Sequence, residues 1–462
     1  MIFRKIHLPI TLSFWLLAAF STQAQQTSFS LREAVVYARE QAYSVRNAEY
    51  DYDKAKKIVK ETAAMGLPQL SLGADMNYNQ RIPQQPVPAQ FIDPNAPEGE
   101  FVLLAFGVPY QSTYRANANM LLLDGSYFVA LMASRVFKEI SRLDLEQSKV
   151  DITEQIYNAY GNVIVAKELI SILERNLEAS TKTLQENQAF FAEGFIEKQD
   201  VDQVELLVSS LENNIVQAKN QERIALMTLK LVMGYPQDRA LTLTDGVEVF
   251  TKLGEVADVI LESNFQLDEY LPYRSAETAE RAAVLSLRNE QMMYLPRLTG
   301  FYNFSRNNFG NDFNFFQYDN FFRFDNNNPW VTFAVTGFSL QWDVFTGFRR
   351  YARTQQMRID LDRAQMNKRR VSEQAEIDYQ RAKGDMQVAV KNLQTTARNR
   401  DLASNILTNT RTKYREGIVG SLELTQAENQ LLESERNYVN ALLQMVAARS
   451  ALEKITGSFN SY

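Results

Sequence analysis

Residues 192–212 read AEGFIEKQDVDQVELLVSSLE, and residues 415–435 read REGIVGSLELTQAENQLLESE. Laid over one another at a shift of 223 residues, the stretches align without a gap through to Met233-Gly234 and Thr456-Gly457. Glu193-Gly194-Phe195 falls on Glu416-Gly417-Ile418, Asp200 on Glu423, and Gln203 on Gln426. In each copy a glycine stands between two long runs of periodic apolar residues. Glycine permits the positive φ that a tight turn at a helix end requires. Both stretches therefore read as the turn of a helical hairpin, written twice.

The duplication extends outward from the turns. Val45-Arg46-Asn47-Ala48-Glu49 matches Tyr273-Arg274-Ser275-Ala276-Glu277 at a shift of 228, and Leu67-Pro68-Gln69-Leu70 matches Leu295-Pro296-Arg297-Leu298. A shift of 222 places Asp124-Gly125 on Thr346-Gly347. The chain divides into repeats at 25–245 and 246–462 after a leader at 1–24. Each repeat predicts a helix ending at its Leu-Pro pair, because proline and the residue before it resist helix. The first helices are expected at 31–65 and about 254–294. A strand, a long loop, a second strand and two long helices joined by the glycine turn follow.

The long helices keep a seven-residue rhythm. Ile156, Val163, Ile170, Leu177 and Leu184 form one series, with Ala159, Ala166, Leu173 and Ser180 beside it. In the second repeat Ala375, Ala382, Ala389, Thr396, Ala403 and Thr410 form a stripe of small residues. Tyr379, Met386, Leu393, Leu407 and Tyr414 run alongside, and Arg400 interrupts them. The returning helices carry Val204, Leu211, Ala218, Ala225 and Val232, and Leu424, Leu431, Tyr438, Met445 and Leu452. Such heptads specify coiled-coil packing. Phe348 to Tyr414 contains no proline and only Gly384, enough for roughly 100 Å of helix at 1.5 Å per residue.

Strands are expected at 69–79, 114–123, 297–306 and 331–343. Leu70, Leu72, Ala74, Met76 and Tyr78 alternate with Ser71, Gly73, Asp75 and Asn77. Tyr114, Ala116, Ala118, Met120 and Leu122 alternate with Arg115, Asn117 and Asn119. Leu298, Tyr302 and Phe304 alternate with Thr299, Asn303 and Ser305. The register of Val331 to Trp342 is left open, with Gly337 a candidate bulge. This alternation suits a strand with lipid on one side and water on the other; a soluble sheet with one wet face reads the same way. Four strands are too few to close a membrane barrel, so a membrane reading requires several chains to share one.

Twelve of the thirty residues from Phe301 to Trp330 are aromatic, and most of the rest are Asn, Asp, Arg, Gln, Ser or Gly. Phe301 to Phe304 fall in the third strand, as an interfacial girdle would. Asn307 to Trp330 reads as the loop to the fourth strand. Its counterpart is Gln80 to Thr113.

Arg4 and Lys5, an apolar run from Leu8 to Phe20, and Thr22-Gln23-Ala24 have the form of a cleaved secretory signal peptide. Thirteen residues are too few to span about 30 Å of hydrocarbon. Removing the leader changes the formal charge from -6 to -8 and leaves neither histidine nor cysteine. Thiolate and imidazole catalysis are thereby excluded, as is the usual zinc site. No cofactor is implied, and there is no cysteine for an N-terminal lipid. The acidic balance disfavours nucleic acid.

The ordered repeat of signal, strand pair, heptad helix, glycine turn and return helix resembles the TolC family of outer-membrane efflux proteins. The resemblance implies a mainly α chain with a membrane β-barrel. It would form a homotrimer with a twelve-stranded β-barrel continued by a twelve-helix α-barrel, four strands and four long helices per chain. It implies a passive exit duct, not an enzyme, in the lipid of a Gram-negative outer membrane, extending into the periplasm. The partners would be a periplasmic adaptor protein and an inner-membrane pump. Adaptor contacts would fall on Glu193, Gly194, Phe195, Glu416, Gly417 and Ile418. The periplasmic aperture would be lined by Asp200, Gln203, Glu423 and Gln426, with glutamine where a fuller acidic pattern would have a second acid. Acids in a first helical turn also simply suit the helix dipole. The alternative is a periplasmic or secreted coiled-coil scaffold without a transport role.

Overall fold

The computed structural model describes residues 27–249, 265–313, 321–324, 329–457 and 459. The leader at 1–24 lies outside the described residues. So do residues 254–264 of the expected second short helix, and 314–320 and 325–328 of the expected loop. The first repeat contains β1 (Ser28–Phe29), α1 (Leu31–Gln41), α2 (Tyr43–Ala64), β2 (Gln69–Tyr78), β3 (Gln84–Pro88), β4 (Phe101–Ala105) and β5 (Tyr110–Leu123). The helices α3 (Gly125–Ala192) and α4 (Lys198–Met233) follow, then β6 (Thr242–Leu243). The second repeat contains α5 (Leu271–Met292), β7 (Arg297–Gly310), β8 (Trp330–Gln341), α6 (Arg349–Arg415) and α7 (Ser421–Thr456). Corresponding helices match in length: 22 residues for α2 and α5, 68 and 67 for α3 and α6, and 36 for α4 and α7. Among the described residues no helix is long and apolar enough to cross a membrane.

The chain forms two compact units. One comprises residues up to Glu49, Leu145–Leu271 and Glu373 onward; the other comprises Tyr50–Asp144 and Pro272–Ser372.

The second unit is built on a four-stranded sheet, in the order β2-β5-β7-β8. Every neighbouring pair is antiparallel. Its register settles the fourth strand. Leu72, Ala116, Phe304 and Ala334 stand in one row; Leu70, Ala118, Tyr302 and Thr336 stand in the next row on the same face. Phe338 and Leu340 continue that face, opposite Gly300 and Leu298. The opposite face carries rows such as Ser71, Asn117, Asn303 and Val335. Asp75 and Arg115 form an ion pair at 3.0 Å.

Gly337 is not a bulge. It pairs directly with Phe301 in an unbroken ladder, and a Cβ there would come within 3.0 Å of the Phe301 ring. Glycine leaves room for that ring. The irregularity lies at Leu122, between the pairs Leu121–Thr299 and Leu123–Leu298.

Both outer loops are shorter than expected. The β5–β7 ladder continues to Tyr110–Gly310, so Asn307–Gly310 and Tyr110–Thr113 are strand. Ladder bonds use the backbone, which the polar Asn-rich sequence does not prevent. Within the first loop β3 and β4 pair as an antiparallel hairpin.

The first unit packs the heptads. Ile156, Val163 and Ile170 are buried in α3, as are Ala375, Tyr379, Ala382, Met386, Ala389, Ala403 and Leu407 in α6. All five α7 positions, Leu424 to Leu452, are buried. Arg400 does not break the packing, because its guanidinium lies over the Tyr438 ring at 4.5 Å. In α4 the series drifts: Leu229 and Met233 are buried where Ala225 and Val232 were expected. Ala218 to Leu229 is a step of eleven, an interval that drifts around a 3.6-residue helix in the sense opposite to the heptad's. The expected helix at 31–65 is two helices, broken at Ala42, whose ψ of 138° is extended. At the start of α1 the Tyr160 hydroxyl donates to Phe29 O at 3.0 Å, while Leu31 N donates to Asp245 Oδ2 at 2.7 Å.

Candidate functional site

The two glycine turns have one geometry. Gly194 has φ 79° and Gly417 φ 71°. Phe195 N donates to Phe190 O at 2.9 Å, and Ile418 N donates to Lys413 O at 2.9 Å. Each bond spans the last helical turn and satisfies carbonyls that the helix end leaves open. A Cβ on either glycine would meet nothing within 4 Å, so glycine is needed here for its backbone angle alone. The turns expose Glu193, Glu416 and two apolar side chains, Phe195 at 77% and Ile418 at 65%.

Beyond the turns the repeats diverge. Asp200 accepts from Glu197 N at 3.2 Å, and Glu423 accepts from Gly420 N at 3.1 Å, so each acid caps its own helix. Glu423 and Gln426 are exposed, whereas Asp200 and Gln203 are half-buried. The cause is Ser421, the first residue of α7. Its hydroxyl forms a short hydrogen bond to Asp200 Oδ1 and lies 2.9 Å from Gln203 Oε1. One hydroxyl has one proton, so it donates to the carboxylate and accepts from the Gln203 amide once that amide is turned. The structure thus joins Asp200 and Gln203 to the other hairpin. It does not join Glu423 or Gln426 to them.

A second link lies one layer away. Tyr414 donates to Asn187 Oδ1 at 2.7 Å, and Asn187 Nδ2 donates to Asp200 O at 3.4 Å. Asn187 is fully buried, and burial pushes the Tyr414 hydroxyl pKa up. Arg415 approaches Glu186 at 3.5 Å. Tyr414, Asn187, Asp200, Ser421 and Gln203 therefore tie α3–α4 to α6–α7. Sequence reasoning treated Tyr414 as a packing residue and missed Asn187 and Ser421. A signal for Ser421 existed: at the 223-residue shift it matches Lys198.

Arg411 and Glu428 pair at 3.1 Å beneath this network, in a pocket also lined by Asn176, Leu207 and Leu407. Burial pushes the Glu428 carboxyl above the ordinary glutamate range, and Arg411 opposes this only in part. The folded state therefore holds the Glu428 proton more tightly than the unfolded chain does. That contribution is present below the unfolded pKa and is lost as pH rises through the folded pKa. The stability of the unaltered protein relative to Glu428→Gln will fall as pH rises across that window. Urea midpoints of the two proteins, measured from acid to neutral pH, would show it; a constant difference would exclude a raised carboxyl.

The family profile described as Outer membrane efflux protein matches residues 34–235 and 270–458. No match was found among curated protein sequences. Among solved structures, CusC is similar with a TM-score of 0.71 at 15% identity, covering 92% of each chain. VceC of Vibrio cholerae is similar with a TM-score of 0.68 at 17% identity, covering 92% of this chain and 96% of its own. The MtrE channel of Neisseria gonorrhoeae, in its open state, is similar with a TM-score of 0.68 at 15% identity, covering 92% and 88%. At these identities the likeness establishes the fold, strands and long helices together. The profile match, spanning both repeats, favours transport over the coiled-coil scaffold. The chain belongs to the outer membrane efflux protein family.

Proposed function

We propose that three copies of the chain form the exit duct of a tripartite efflux or secretion assembly. The observation that carries this reading is the sheet. Among the described residues its outer strands β2 and β8 each leave one edge unpaired, and open edges are not tolerated in lipid. Because all three pairings are antiparallel, β2 and β8 also run antiparallel to one another. The β8 edge of one copy can therefore pair with the β2 edge of the next without changing the pattern. Three copies would supply twelve strands and twelve long helices. The apolar rows would face lipid and the Asn- and Ser-bearing rows the lumen. The chain would reach the outer membrane after cleavage of residues 1–24.

The duct would be passive, with energy supplied by an inner-membrane pump. The exposed Phe195 and Ile418 at the glycine turns suit an apolar contact with a periplasmic adaptor. The aperture would be set by the hairpin starts. Of its proposed residues, Glu423 and Gln426 are exposed to line it, while Asp200 and Gln203 hold the two hairpins together through Ser421. Three exposed Glu423 carboxylates would favour cations. Detergent-extracted protein, taken from membranes that resist urea, should show three-fold particles with a continuous axial channel. A sealed monomer, or protein released by urea, would end this reading.

A further inference from the structure

One charged side chain on the apolar face of the sheet has no part in the duct. Arg306 is 1% exposed and stands in the row Ala74, Tyr114, Arg306 and Thr332. This row follows the apolar row of Leu72, Ala116, Phe304 and Ala334 toward the loop end of the strands. The guanidinium donates through Nη2 to Arg323 O at 2.9 Å. Its Nε and Nη1 find no acceptor among the described residues. Among the described residues it meets two rings and no carboxylate, Phe324 at 4.5 Å and Phe321 at 5.2 Å.

Those rings belong to the β7–β8 connection, and their contacts show where residues 321–324 lie. Phe321 packs edge-on against Tyr114 at 5.3 Å and against Trp330 at 5.0 Å. Tyr114 and Trp330 meet at 5.5 Å. By register both stand on the face that carries Leu70, Leu72 and Phe304. Residues 321–324 are therefore folded back over that face. Phe322 and Phe324 remain 85% and 66% exposed.

An arginine with open donors is costly in hydrocarbon, and cation–π contacts supply only part of what water gave it. Because the guanidinium is 1% exposed, phosphates of lipid headgroups at the boundary of the apolar rows meet the exposed Phe322 and Phe324 over it and not its own donors. Aromatic side chains favour the same layer. We propose that Phe321–Phe324, pinned by Arg306, is a collar seated among phosphate-bearing headgroups of the outer leaflet, and not a cover for the duct mouth. This inference rests on the lipid-facing assignment of the apolar rows.

The absence of cysteine makes the test direct. Phe322→Cys, Leu72→Cys and Glu193→Cys would each carry a nitroxide in the full chain, in vesicles of phosphatidylethanolamine and phosphatidylglycerol. Collisions with oxygen and with a water-soluble nickel chelate report lipid and water. Residue 322 should fall between the two references, with an oxygen-to-nickel ratio below that at residue 72 and several-fold above that at residue 193. Adding Arg306→Gln, or separately Phe324→Leu, should raise nickel access at residue 322 several-fold and leave residue 72 unchanged. A lipidic residue 72 with an aqueous residue 322 would overturn the collar alone. An aqueous residue 72 would overturn the membrane face with it, and no response to either added change would overturn the pin.

Discussion

Channels carrying Tyr414→Phe together with Ser421→Ala should stay open in planar bilayers far longer than the unaltered protein, with a several-fold higher mean conductance. The two changes remove the hydroxyls that join the hairpins, Tyr414 to Asn187 and Ser421 to Asp200. They leave the helix caps of Asp200 and Glu423 intact. A hydrogen bond contributes about 1 kcal/mol net, and somewhat more when its acceptor is charged. Two per chain make about 2 kcal/mol, a shift of roughly thirtyfold in the balance between tied and separated hairpins. If the copies open together the terms add, reaching about 6 kcal/mol for three. Glu423→Gln is the useful contrast. It keeps a side chain able to cap Gly420 and removes only exposed charge, so it should weaken cation preference without changing open time. An unchanged conductance in the double variant would show that these contacts do not hold the aperture.

Much of this architecture was legible because its signals are periodic or repeated. The heptads located the long helices, alternation located three strands to within a few residues, and the fourth was placed without its register. Three features were hidden for distinct physical reasons. The outer ends of β5 and β7, Tyr-Gln-Ser-Thr and Asn-Asn-Phe-Gly, carry no clear alternation, yet they pair because a ladder needs only backbone groups. The placement of Phe321 over Arg306 depends on which face each residue of β7 and β8 occupies, and a one-residue slip would reverse it. The Tyr414–Asn187 and Ser421–Asp200 bonds join residues more than two hundred positions apart. At the tip the repeat alone does not separate Asp200 from Glu423, whereas the Lys198 to Ser421 mismatch ties Asp200 to the other hairpin while Glu423 caps its own helix.

The same divergence between matched positions yields the largest expected effect on folding. Gly234 and Gly457 end α4 and α7 with φ 72° and 73°. For either, alanine would incur the left-handed penalty of about 1–2 kcal/mol. Their surroundings are unlike. A Cβ on Gly457 would find its nearest neighbour, Glu269 Oε2, at 3.8 Å, an ordinary contact. A Cβ on Gly234 would fall 2.4 Å from the carbonyl oxygen of Gln41 and 3.0 Å from its carbon. These are backbone atoms at the end of α1, next to the break at Ala42, and they cannot swing aside as a side chain would. Nearby, Tyr235 and Phe29 meet edge to face at 5.8 Å, so a displaced α1 would disturb that packing as well. Gly234→Ala should therefore cost more than about 4 kcal/mol, the range reached when backbone strain and lost packing combine. It should eliminate urea-resistant assembly in the membrane, whereas Gly457→Ala should assemble with a slightly lower denaturation midpoint. Equal outcomes for the two alanines would mean that the close approach of α1 to Gly234 does not govern folding, and that the shared backbone angle is the whole reason for both glycines.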